Sequence, residues 1–228
     1  MAGADDFVFL DDVQLEKQSW QTRNRLLISG AVRWIVVPVR NTQLAQTIAE
    51  TEVLHGTHWR EKLARGFDLN YGRHPHHAAA REVFEALLAC PSSLLGEMNE
   101  TIVRFVARRL DLPCRLHRGS DLGQPGVRSE RLIALCRHLE ALEYLSPRGS
   151  QQYLQEDGFE RHSPAKLRYQ DYAPQPYPQR GTSAFHSHLS IVDLVANVGW
   201  SGAREYVRTG ATSLPAAASM QPPMDPLQ

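Results

Sequence analysis

Residues 11 to 25 hold an unusual density of side chains able to bind or activate a small molecule. Two adjacent carboxylates, Asp11 and Asp12, are followed by Gln14, Lys17, Trp20, Arg23, Asn24 and Arg25. A carboxylate at a strand end can orient a hydroxyl or amine, or take its proton. Asp11 and Asp12 close the apolar run Val8-Phe9-Leu10. Strand alternation sends such neighbours to opposite faces, so they are no ready-made pair for one metal or one proton transfer. The plainer role of either is to satisfy loop amides. Arg23 and Arg25 share a face if Arg23-Asn24-Arg25 is extended, and two guanidiniums on one face suit a phosphate or carboxylate. A solvated strand edge is the alternative.

A second group lies far along the chain. Tyr144, Ser146, Arg148, Gly149 and Ser150 read as strand, turn and helix start, where backbone N–H groups and Arg148 can meet an anion. The glycines are too few for a dinucleotide or phosphate-loop fingerprint. Arg128 and Arg131 fall at one helix entrance, three apart and on neighbouring turns. Cations there oppose the helix dipole, which hints at a retained role. His74-Pro-His76-His77 and His186-Ser-His188 lack zinc-type spacing, so no metal site is assigned. There is no GxSxG, and no cysteine is flanked as a nucleophile.

The elements that must position these groups follow from apolar periodicity. Val8–Leu10 reads as a strand, and Leu26–Ile28 and Trp34–Val37 as a hairpin split by Ser29-Gly30. Helices are expected over 58–67, 76–89 and 94–112, with Pro91 and Pro113 as stops. A strand at 114–117 precedes a helix capped by Ser129 and carrying Leu132 to Leu142. Strands at 143–146 and 166–172 flank a helix through Tyr153. Residues 173–188 form an ordered loop. Ser190-Ile-Val-Asp193 is a capping-box signature for a helix ending at Gly199, and a last helical piece spans 203–207. The alternation predicts an α/β class, a Rossmann-like layered sheet with flanking helices and an inserted helical segment. Ligands then bind at the carboxyl ends of strands, which puts Asp11, Asp12 and Ser146–Ser150 on one rim.

The totals bound the function. The 228 residues carry 25 basic and 25 acidic side chains, so no global field attracts nucleic acid or an acidic membrane. Three cysteines without pattern read as thiols in a reducing compartment. No apolar run approaches the roughly 20 residues of a membrane span, and no leader precedes the first strand. A cytoplasmic protein is expected, needing no cofactor that the residues reveal and giving no sign of its oligomeric state.

Four stretches together resemble the WbqC-like protein family: FVFLDDVQLEKQSWQTRNRLL, GVRSERLIALCRHLEALEYLSPRGSQQYL, YPQ at 177–179 and LSIVDLVANVG at 189–199. The resemblance covers about residues 5–208, one α/β domain, with 209–228 a disordered tail. It implies a cytoplasmic role in bacterial surface polysaccharide or O-antigen synthesis. The expected activity is a transferase placing an acyl or aminoacyl group on a nucleotide-linked amino sugar. The alternative is a non-catalytic partner in such a pathway. On this reading Asp11 or Asp12 serves the acceptor and Arg23, Arg25 and Arg148 hold phosphates. Trp20 and Tyr144 stack on sugar or base, and Tyr177 and Gln179 join the binding set. Two departures are visible. Arg73-His74-Pro75-His76-His77 replaces a Lys-Ala-Pro-Tyr-Phe-like run, and the family's opening QPxYFPWxGYF-like segment is expected to be missing ahead of Phe7.

Overall fold

The apolar runs fold into six strands and eight helices among the described residues, which are 1–40, 45–54 and 58–209 of a computed structural model. In order these are β1 (Asp6–Phe9), β2 (Arg23–Ile28), β3 (Ala31–Val36), α1 (Trp59–Tyr71), α2 (His77–Ala89), α3 (Leu95–Arg109) and β4 (Arg115–Arg118). There follow α4 (Gly119–Leu122), α5 (Arg128–His138), β5 (Glu143–Pro147), α6 (Gln151–Glu156), α7 (Phe159–His162), β6 (Lys166–Gln170) and α8 (Ile191–Thr209). This is a mixed α/β chain. Its strands pair two by two: β1 with β4 and β5 with β6 in parallel, β2 with β3 antiparallel. No helix among the described residues is long and apolar enough to cross a membrane. Thr209, expected to open a disordered tail, is instead the last residue of α8; the rest of that expected tail, 210–228, lies outside the described residues.

Two compact units emerge from the chain's internal contacts. The first holds Met1–Gln14, Thr47–Ala49 and Pro113–Ala173. Its core is Leu132, Ile133, Cys136, Leu154, Phe159 and Ala165, onto which Leu10, Tyr144, Leu167 and Tyr169 pack. Leu10 is drawn onto that core as β1 stops at Phe9, where the Asp11 amide turns back to the Phe9 carbonyl at 2.9 Å. Leu142, assigned from sequence to the helix face, is instead 85% exposed, because α5 ends at His138.

The second unit holds residues 15–40, 45–46, 50–54, 58–112 and 174–209. Ser29 and Gly30 take φ of 51° and 75°, the two positive values that a primed hairpin turn requires, and so set the β2–β3 register. Ala64, Phe67 and Tyr71 line the buried face of α1. Phe67 stacks on Phe84 of α2 at 4.5 Å and on Tyr71 at 4.8 Å. The expected break at Gly199 is a kink within α8, at φ 71°. The His76 ring lies 3.0 Å from where a Cβ would stand, so a side chain there meets both strain and a clash.

Candidate functional site

Within the first unit the two carboxylates converge rather than diverge. Asp11 and Asp12 lie in the turn after β1, beyond the reach of strand alternation, and both face the Gly119–Ser120 segment that follows β4. Asp11 is 7% exposed and accepts the Ser120 amide at 2.9 Å and the Ser120 hydroxyl at 2.7 Å. Asp12 pairs through Oδ2 with Arg131, whose Nη2 also donates to the Gly119 carbonyl at 3.0 Å. A Cβ on Gly119 would sit 3.0 Å from Asp12 Oδ1 and from the Phe9 carbonyl, so glycine lets the two strand ends close up. Asp12 Oδ1 is buried and accepts no hydrogen bond among the described residues.

The cations at the start of α5 are explained by these partners. Arg131 serves Asp12, while Arg128 reaches Asp157 at 3.2 Å and lies over the Tyr153 ring. Ser129 is not a cap; its hydroxyl donates to Asp157 at 2.8 Å, and α5 has no side-chain cap. That bond, with Arg128 beside it, holds the Asp157 carboxyl below its ordinary range. Tyr144 packs 5.3 Å from Phe159, and burial pushes its phenol up to about 12. Ser146 is 1% exposed. Arg148 pairs with Asp171 at 3.2 Å, Gly149 faces open space, and Ser150 closes a 3-10 turn ahead of α6. Gln14 bridges to Thr47 and is exposed.

The second unit presents its charges differently. Arg23-Asn24-Arg25 is extended, as the pairing argument required, and opens β2. Arg25 is opposite Trp34 of β3, and the Trp20 and Trp34 rings lie 5.1 Å apart, 59% and 45% exposed. The Arg23 guanidinium sits 4.1 Å over Trp34; that of Arg25 lies 5.4 Å from Trp20 and 5.6 Å from Trp34. Arg25 also donates to the carbonyls of Ser187 and His188, the shortest bond being 2.7 Å. Its Nε and Nη2 donors are therefore taken, whereas Arg23 makes no hydrogen bond through its buried Nε among the described residues. Asn24 accepts the Arg25 amide at 2.8 Å. Lys17 is exposed.

Behind β2 lies a buried polar cluster that periodicity does not reveal. Asp193 of α8 is fully buried and accepts the hydroxyls of Tyr71 and Tyr177, each at 2.7 Å. Gln179 and Asn197 approach its Oδ1 at 3.4 Å. The capping box expected at Ser190–Asp193 is therefore only half formed: the backbone turns, but the carboxylate points inward to two phenols. Burial pushes the Asp193 carboxyl above its usual range against the pull of those donors, and burial with the adjacent carboxylate pushes both phenols up.

That cluster joins three segments that wall a cleft of about 630 Å³. Tyr71 ends α1, ahead of Gly72, Arg73 and His74; its hydroxyl also accepts the Leu27 amide of β2 at 2.9 Å. Gln179 precedes Arg180 and Gly181, and Asn197 accepts the Arg180 amide at 2.9 Å. Leu27, Ser29, Gly30, Asn70, Arg73 and Arg180 are among the lining residues. His74 stacks on Tyr71 at 4.4 Å, and burial, with Arg180 and His77 adding repulsion, holds its imidazole down to about 4 despite the bond to the Tyr71 carbonyl. His77 instead pairs with Asp68 at 2.9 Å and His76 packs on Gly199, so the histidine run disperses to separate partners.

The model of the WbqC-like protein family matches residues 1–205. The chain belongs to that family. It is also similar to "Uncharacterized protein Rv1507c" of Mycobacterium tuberculosis (strain ATCC 25618 / H37Rv), 30% identical over 210 residues, 91% of this chain and 90% of the relative. No solved structure matches it. In this WbqC-like chain the stretches at 177–179 and 189–199 supply Tyr177, Gln179, Asp193 and Asn197. They meet in one cluster, with Tyr71 contributed from α1.

Proposed function

We propose that this WbqC-like protein is a cytoplasmic bacterial transferase of surface-polysaccharide synthesis. It adds an acyl or aminoacyl group to a nucleotide-linked amino sugar. The observation that carries the reading is the pair of exposed indoles, Trp20 and Trp34, with the Arg23 guanidinium laid over one of them. A sugar ring or a base stacks on such a face, and a nearby guanidinium favours an anionic ligand. In the first unit, taken by itself, Asp12 is the carboxylate proposed for acceptor chemistry, since Asp11, with both oxygens taken by Ser120, only positions that turn. The two parallel strand pairs of that unit are what supports a Rossmann-like layering in this reading. Nucleic acid and membrane are not partners in this reading.

Calorimetric titration with a uridine-diphosphate amino sugar tests it. Saturable binding is expected, weakened by about 10- to 100-fold in Trp34→Ala, the range of a lost stacking contact. Absence of binding across a panel of nucleotide sugars removes the reading. A second reading, a non-catalytic partner of polysaccharide enzymes, draws on Val36, 57% exposed beside the indoles, which extends the apolar patch toward a protein-binding surface. It predicts that Asp12→Asn leaves function intact.

A further inference from the structure

The arginines expected to hold phosphates are mostly committed elsewhere: Arg25 to two carbonyls and Arg148 to Asp171. Two others are not. Arg73 and Arg180 come from separate walls of the second-unit cleft, and neither guanidinium has a hydrogen-bond or ion-pair partner among the described residues. The carboxylate lining the cleft, Asp68, is paired away from them: Arg81 spans its Oδ1 and Oδ2 at 2.9 and 3.1 Å, and His77 meets Oδ1 at 2.9 Å. His74 is held neutral at pH 7 by burial and by the Arg180 charge, so it adds neither charge nor repulsion toward an anion.

We infer that this cleft binds the phosphoryl group of a small-molecule ligand, with Arg73 and Arg180 as its clamp. Two guanidiniums lining one cleft from separate segments match the several oxygens of a phosphate or diphosphate better than the two of a carboxylate. Asn70 and Ser29 supply neutral polar groups along the wall. Gly30 brings bare backbone to the lining: the Cβ it lacks would lie 3.3 Å from the Gly181 carbonyl, and its φ of 75° excludes most side chains. The volume exceeds that of a lone anion and lies within the range of small-molecule sites. Asp193 and Asn197 act as positioning residues. One holds Tyr71, Tyr177 and Gln179 together and the other fixes the Arg180 backbone, so the segments that carry the two arginines are set before any ligand arrives.

The inference deepens the proposed function, on which it rests only for the identity of the whole ligand. Two probes separate them: inorganic pyrophosphate and a uridine-diphosphate amino sugar, each titrated calorimetrically at constant ionic strength. Pyrophosphate is expected to saturate one site. Arg73→Ala or Arg180→Ala should weaken it by about 10- to 100-fold, the worth of one charge-assisted pair, and the double variant should abolish it. Arg65→Ala, an exposed arginine of α1 outside the cleft, is the control and should match the native chain. Pyrophosphate that fails to bind, or that binds the double variant undiminished, overturns the inference. If pyrophosphate binds through both arginines while the sugar nucleotide binds no tighter, the clamp stands and the sugar reading falls. If the sugar nucleotide binds equally to native and double-variant protein, the sugar reading stands and the clamp falls.

Discussion

The two units handle charge in opposite ways. In the first, Asp11, Asp12, Arg128, Arg131 and Arg148 each find a partner inside the unit, through Ser120, Arg131, Asp157, Asp12 and Asp171. In the second, Asp193 is consumed in holding three segments together, and Arg73 and Arg180 are left facing the cleft. Charged side chains near a cleft are thus of two kinds, those that build the walls and those left for a ligand. Residue type does not distinguish them; partners do.

The largest effect expected from breaking that contrast is at Asp193. Asp193→Ala leaves two buried phenol hydroxyls without their acceptor and should cost about 3–5 kcal/mol, read from urea unfolding. Phosphate binding should fall with it, since the walls lose their common anchor. Arg131→Ala comes next. It strands the part-buried Asp12 and should cost about 1–3 kcal/mol while leaving pyrophosphate binding in the second unit unchanged. By contrast the Arg73→Ala, Arg180→Ala double variant removes no internal bond, so its unfolding free energy should stay within about 0.5 kcal/mol of native as binding disappears. A matched loss of stability would erase the distinction between wall and ligand residues.

Much of the frame was legible in the residues. The Ser29-Gly30 hairpin, the helices over 76–89 and 94–112 and the β4, β5 and β6 strands follow from patterns that local sequence carries. Arg23-Asn24-Arg25 meets the condition set for a shared face: β2 starts at Arg23, three residues ahead of the apolar run Leu26–Ile28. What failed was partner choice. Asp12 meets Arg131 across 119 positions of chain, and Asp193 meets Tyr71 across 122, separations over which no periodicity runs. Asp193 did lie in a recognised stretch, but a carboxylate three residues after a serine fits a helix cap as well as a buried anchor, and only the phenols decide. Arg73 stands out in the sequence only as part of a departure from the family's pattern, since a solvent-facing arginine carries no local signal.

Smaller effects sharpen the same contrast through pH. The His74 imidazole titrates at about 4 in the folded chain against 6.5 unfolded, so its contribution to stability is complete above pH 6.5. As pH falls the unfolded chain takes the proton first, and the contribution is gone once pH passes below about 4. His74→Gln should flatten the stability profile across that window, measured by urea unfolding at fixed ionic strength. Arg180→Ala removes one repulsive charge and should move the His74 value upward by a fraction of a unit, followed by imidazole NMR, with burial still keeping it below 6.5. An unchanged value would separate Arg180 from His74 and weaken the picture of a shared cleft.

The most direct measurement is an NMR titration of the native chain with a uridine-diphosphate amino sugar. The indole N–H signals of Trp20 and Trp34 and the amides of Gly30, Asn70, Arg73 and Gly181 should move together and saturate at one ligand concentration. The indoles of Trp59 and Trp200 should stay in place. Indoles of Trp20 and Trp34 that remain still while the ligand binds, or no saturable shift at all, would contradict the assignment of a nucleotide-sugar site to the second unit.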